Sequence, residues 1–155
     1  MKFVSFFAKL LPEKIAYAHC DIPCGVYDPT PAQIAAHTVL RMTQLLAEKT
    51  EAHDISRITR VKEKHGERVE EELGTLENDY FKEEHYKTYP ELKKLIEEAV
   101  KLSIKTRQEV NLDACNEMLE KVMQIAEIFY KTKNVTPVRV PSIYPTKGEL
   151  VTYKA

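Results

Sequence analysis

The residue types best able to do chemistry are concentrated in one short segment, His19-Cys20-Asp21-Ile22-Pro23-Cys24-Gly25-Val26-Tyr27-Asp28-Pro29. Two thiols and an imidazole within six residues make a candidate metal site, while the plainer reading of the C-x-x-x-C pair is a disulfide or a small polar loop. Position adds to the first reading. If the chain is cut after Ala18, His19 becomes the N-terminal residue. Its amine, its imidazole, the backbone nitrogen of Cys20 and the two thiolates then give five donors for one ion. Thiolates with amine and deprotonated amide nitrogen form a strong-field planar set. Such a set suits a d⁸ ion such as Ni(II), with Cu(II) the alternative, whereas structural zinc takes four tetrahedral side-chain ligands. Anionic donors with an axial imidazole also stabilise a higher oxidation state, which opens a redox couple that aqueous nickel lacks.

The segment before these donors reads as a removable leader, residues 1–18. Phe3-Val4-Ser5-Phe6-Phe7-Ala8 is apolar, Lys9 interrupts it, Leu10-Leu11-Pro12 ends it, and Ala16-Tyr17-Ala18 supplies small residues at the cut. The apolar run is too short to span a membrane.

The donors must be positioned by helices. Windows 32–89 and 91–136 contain no proline, and an interior proline costs a helix about 3 kcal/mol. Ala35, Val39, Met42 and Leu46 form one apolar stripe. After a polar break at Thr50 to Asp54, Ile58, Val61, His65, Val69, Leu73, Leu76 and Tyr80 form a second. Leu92, Leu95, Ala99, Leu102 and Thr106 form a third, and Leu112, Cys115, Leu119, Val122, Ala126 and Phe129 a fourth. Thr30-Pro31-Ala32-Gln33 and Thr88-Tyr89-Pro90-Glu91 read as capping boxes. Together these signals predict an all-α protein, an antiparallel four-helix bundle carrying an N-terminal metal-binding hook. No segment alternates long enough to predict a sheet. Residues 134–155, with Pro137, Pro141 and Pro145, read as an extended arm, loose or laid against a neighbouring subunit.

Composition removes other classes. The chain of 155 residues fits one domain, and its 23 Lys+Arg against 24 Asp+Glu leave a net charge of -1, with no basic surplus for nucleic acid. Its four glycines make no phosphate-binding loop, and three cysteines make no disulfide scaffold. Runs such as Glu70-Glu71-Glu72 and Lys93-Lys94 read as solvated faces, Cys115 as a small core residue, and His37, His53 and His85 as surface residues.

The string His-Cys-Asp-x-Pro-Cys-Gly-Val-Tyr-Asp-Pro resembles the nickel hook of the nickel-containing superoxide dismutases. The resemblance runs through residues 34–49, Asp79-Tyr80-Phe81-Lys82, Tyr89-Pro90-Glu91-Leu92 and the Ile-Phe-Tyr-Lys-Thr-Lys run ending at Lys133, and covers residues 19–133. It implies a four-helix subunit in a homohexamer, with one nickel ion per subunit and a Ni(II)/Ni(III) cycle that turns superoxide into oxygen and hydrogen peroxide. By the same resemblance His19, Cys20 and Cys24 are the metal ligands, and Pro23, after a cis bond, makes the turn between the sulfurs. Tyr27 and Tyr80 stand over the open face of the metal, Lys82 supports the hook from the bundle, and Asp21 makes a supporting contact. In the family the axial imidazole is backed by a glutamate and an arginine; gapless alignment places Ala35 and His65 there, so that support is not copied, and the candidates for a partner are His65 or a residue of a neighbouring subunit, although His65, on an apolar stripe, reads first as a satisfied core histidine.

The resemblance further implies a precursor, inactive until a maturation protease removes residues 1–18 and frees the amine of His19, in a cytoplasmic enzyme; the signal-like Ala16-Tyr17-Ala18 keeps export as the alternative. A metal carrier that uses the same hook without turnover, and a helical interaction protein with a Cys20–Cys24 disulfide, are the competing readings.

Overall fold

The proline-free windows fold as helices, and the computed structural model describes residues 25–154. Helix α1 spans Thr30–Glu48, α2 Ala52–Thr75, the single-turn α3 Glu83–Thr88, α4 Leu92–Gln108 and α5 Leu112–Thr132. At its C-terminal end α2 widens into one π turn, Leu76–Tyr80. Each long helix packs on two others, α1 on α2 and α5, and α4 on α5 and α2. The short connections make consecutive long helices antiparallel, which is the expected bundle. Among the described residues no helix is long and apolar enough to cross a membrane.

The core lies where the four stripes meet, around Val39, Leu73, Leu92, Ile96, Met118 and Ile125. Cys115 is buried there as expected; its thiol donates to the Thr43 hydroxyl at 3.3 Å, and burial raises its pKa. One stripe is displaced. On α2 the buried line runs through Lys62, Gly66, Val69 and Leu73, while Val61 is exposed and His65 only half-buried. The reason is the crossing with α4. A Cβ on Gly66 would lie 2.5 Å from Cγ of Arg107, so only glycine lets the two helices approach here, and the Ser103 hydroxyl donates to the Gly66 carbonyl at 2.9 Å. One turn earlier the Lys62 ammonium donates to the carbonyls of Thr106, Arg107 and Glu109. A cation thereby satisfies the unpaired carbonyls at the α4 C-terminus and meets the negative end of its dipole.

Neither capping box forms. Asp28 caps α1 by accepting from the Thr30 N–H at 2.6 Å, and Gln33 points elsewhere. Thr88 closes α3 by bonding back to the Glu84 carbonyl, and α4 starts after Glu91.

The C-terminal arm is also different from the expectation: it is a hairpin folded on its own chain. Asn134 takes a left-handed conformation (φ 59) that ends α5. Strand β1, Thr136–Pro141, then pairs antiparallel with β2, Glu149–Lys154, with Arg139 opposite Val151. Val151 is buried, and both its backbone groups are taken by Gln33, whose amide donates to the Val151 carbonyl at 3.0 Å and whose oxygen accepts from its N–H at 2.7 Å. Gln33 thus stands in for a third strand. It follows that 139 and 151 do not bond each other across the pair. By the two-residue period of the strand, the absent N–H groups of Pro137 and Pro141 belong to the outer edge of β1. One edge is closed by α1 and the other is blunted by proline.

Candidate active site

The ligands named from the sequence, His19, Cys20 and Cys24, lie outside the described residues, as do Asp21, Pro23 and the whole leader. What the structure places is the pocket at Gly25, the first described residue after them. Gly25, directly after Cys24, lines a pocket of about 410 Å³ together with Tyr27, Asp79, Tyr80, Lys82, His85 and Lys133. Tyr27 and Tyr80 therefore meet at the mouth of the chain segment that carries the thiols. Their ring centroids are 5.4 Å apart.

The fold explains why Tyr80 is there. The π turn at the end of α2 inserts one extra residue per turn and ends at Phe81, which is buried and anchors the turn to the core. Tyr80 is boxed by rings, with Phe129 at 4.7 Å, Phe81 at 5.2 Å and the His85 imidazole stacked at 5.6 Å. The Lys133 ammonium stands 4.6 Å from the ring centroid, a cation on the aromatic face. The Tyr80 hydroxyl is 2.7 Å from that of Thr132. Lys82, the residue before α3, is exposed at the rim, where its N–H donates to Nδ1 of His85 at 3.1 Å.

Three histidine expectations change. His85 is half-buried beside Tyr80 rather than on the surface. His37 is buried under the hairpin, Nδ1 on the Thr146 hydroxyl at 2.8 Å and Nε2 donating to the Glu149 carbonyl at 3.0 Å. The same positions on an isolated helix face read as solvent-exposed, and it is the arm folding back that covers His37. His65 leaves Nδ1 sequestered without a partner in a groove lined by Lys64, Glu67, Arg68 and Glu72; burial first, then the charges of Arg68 and Lys64, lower its pKa. Fifteen residues of helix at 1.5 Å each put His65 about 22 Å from Tyr80, so it is not part of the pocket. Ala35 is buried in the core. Only His53 is exposed as expected.

Sequence reasoning missed His85, Thr132 and Lys133 as pocket residues. The signal for the last two was present: Phe129, Thr132 and Lys133 sit at i, i+3 and i+4, a spacing that continues one face of α5 to the residue just past its end. Among the described residues no group of three or more His, Cys, Asp or Glu side chains can hold a metal ion, so the bundle itself offers no rival to the hook. The donor set expected of the hook, two thiolates with the amine, amide and imidazole that a cut before His19 would expose, would fit nickel by its chemistry.

Comparison with known proteins agrees with this geometry. Residues 14–133 match the family model described as nickel-containing superoxide dismutase, a match that contains the hook and stops before the hairpin. The chain is 38% identical over 122 residues to the nickel superoxide dismutase of Streptomyces seoulensis, covering 79% of this chain and 93% of that protein. It is 34% identical to that of Streptomyces coelicolor over the same length. In structure it is similar to native nickel superoxide dismutase solved at 1.30 Å, with a TM-score of 0.70 and 35% identity over 74% of this chain and 99% of that one. It is also similar to the enzyme with nickel ligation of the oxidised state, with a TM-score of 0.71 and 38% identity over 75% of this chain and 99% of that one.

Proposed function

Because the chain belongs to the nickel-containing superoxide dismutase family, we propose that it disproportionates superoxide to oxygen and hydrogen peroxide at its N-terminal hook. The observation that carries this reading is the convergence of Tyr27 and Tyr80 on a pocket that begins at Gly25, the residue after the second thiol. His19, Cys20 and Cys24 are the residues that would hold nickel, and bound nickel supplies the one-electron couple that the protein's own side chains lack.

The described residues do the rest. Lys133 and Lys82 bring two cations to the pocket lining, where Asp79 and Glu84 offset them, and Lys133 over the Tyr80 ring is the cation set against the aromatic gate. Tyr27 and Tyr80 stand together at the pocket and limit access to the thiolates, which hydrogen peroxide would otherwise oxidise. Asp21 supports the hook from within its turn and Lys82 from the bundle.

Removal of residues 1–18 by a protease is required in this reading, because the amine of His19 exists only after the cut. The active assembly is a homohexamer in the cytoplasm. The test uses protein whose N-terminus has been verified as His19. One nickel per chain with catalytic consumption of superoxide is expected, together with no consumption by an uncleavable chain that still folds. Nickel bound without turnover would make the protein a carrier, and absence of nickel with Cys20 and Cys24 joined would leave a helical protein with a disulfide. Full activity in the uncleaved chain would overturn the maturation step.

A further inference from the structure

Tyr80 and Thr132 both line the pocket with their hydroxyls 2.7 Å apart, and hydrogen-bond accounting decides where the Tyr80 proton goes. Thr132 Oγ1 is 2.6 Å from the Phe129 carbonyl oxygen and 2.7 Å from Tyr80 Oη. Two oxygens at 2.6 Å need a proton between them, and a carbonyl has none to give. The single proton of Thr132 is therefore committed to Phe129. The contact with Tyr80 must then be supplied by the phenol, with Thr132 accepting. The ring cannot swing away from this arrangement, since Phe129, Phe81 and His85 pack around it and Lys133 stands over its face.

We propose that Thr132 is a positioning residue for the dismutase pocket: it takes the Tyr80 proton, so that Tyr80 offers incoming molecules a lone pair and not a hydrogen bond. This rests on the dismutase reading above. Its consequence is chemical selection. A species that brings its own proton, such as water or hydrogen peroxide, can donate to Tyr80. A bare anion, which can only accept, gains nothing from it. Tyr80 thereby serves the proton-bearing species of the reaction and leaves small anions to the cationic groups, Lys133 foremost. Nothing in the Ile-Phe-Tyr-Lys-Thr-Lys run by itself assigns this role to its threonine, because the partner is 52 residues away in sequence.

The test is Thr132→Val, which keeps the shape of the side chain and removes the acceptor, with Thr132→Ser as the conservative control. In the metal-free protein the Tyr80 13Cζ resonance, assigned with Tyr80→Phe, is expected to move in Thr132→Val and to return in Thr132→Ser. In the nickel-loaded protein cleaved before His19, azide, an anion with no proton, is expected to inhibit Thr132→Val several-fold more tightly than wild type, because the freed phenol proton can now reach it. Thr132→Ser is expected to bring azide inhibition back to the wild-type level. A general loosening of the fold would not tighten anion binding. An unmoved 13Cζ resonance, or equal azide inhibition in Thr132→Val and wild type, overturns the proposal. A cleaved, nickel-loaded wild type that consumes no superoxide overturns the dismutase reading instead, and the resonance still decides whether Thr132 holds the phenol proton.

Discussion

The pocket at Tyr80 and the clamp under the hairpin use similar residues to opposite ends. In the clamp, Gln33 bonds both backbone groups of Val151, and His37 has both ring nitrogens occupied. Arg139 on β1 holds Glu120 of α5 through two bonds of 2.9 Å and Glu127 through one of 2.6 Å. Each of these side chains is held by at least two bonds, and the region is closed. In the pocket, the aromatic rings do the holding, while Lys82 and Lys133 stay exposed. The difference teaches how one small bundle separates its tasks. Polar groups with all bonds satisfied fasten an added segment, and polar groups left facing an opening are available to a ligand.

The sharpest way to break the comparison is to remove a thiol. Cys20→Ser or Cys24→Ser is expected to drop superoxide consumption to background while leaving the melting temperature of the metal-free protein unchanged, because the described core of the bundle is built from residues 32–151. Activity assay of the nickel-loaded protein and calorimetry of the metal-free protein check both halves, and a fall in melting temperature would show that hook and bundle are not separable. Next in size is Arg139→Met. It strands Glu120 and Glu127 and is expected to cost about 2–3 kcal/mol, a figure reduced for the partial exposure of all three groups. Urea unfolding measures this, with activity expected to persist. Gln33→Leu leaves the Val151 N–H and carbonyl without partners, and about 1–2 kcal/mol is expected by the same method.

The smallest effect is that of pH on the clamp. Burial holds the His37 imidazole below its ordinary value near 6.5, only partly opposed by its bond to the Glu149 carbonyl. The unfolded chain therefore takes up a proton at His37 before the folded one does. The stabilisation is complete above pH 6.5 and is lost as pH falls from there through the lower folded value. Stability profiles of wild type and His37→Gln are expected to keep a constant gap above pH 6.5 and to converge as pH falls below it. Profiles that stay parallel below pH 6.5 would mean that His37 does not fasten the hairpin.

Much of this was legible without coordinates. Long stripes of period 3.6 without proline give helices under almost any tertiary arrangement, so the four long helices and the buried Cys115 follow from spacing alone. The errors share one cause, that a neighbour distant in sequence changed what a residue faces. Gln33 reads as a cap and pairs instead with a strand 118 residues on. Val61 reads as core, but the close crossing permitted by Gly66 turns Lys62 inward in its place. The arm reads as loose because its prolines break regular structure, whereas prolines on an outer strand edge cost no ladder bond.

The sequence by itself determined the chemistry. Thiols, imidazole and a potential free amine within six residues can suit very few ions, and donor type is a property of composition and local spacing that folding does not alter. Only the tertiary structure decided what surrounds that chemistry. The meeting of Tyr27 with Tyr80, the commitment of the Tyr80 proton to Thr132 and the sealing of His37 under the hairpin are contacts between residues 52 to 109 positions apart. Such contacts depend on helix crossing and register, which are settled by packing the whole core at once and not by any local pattern.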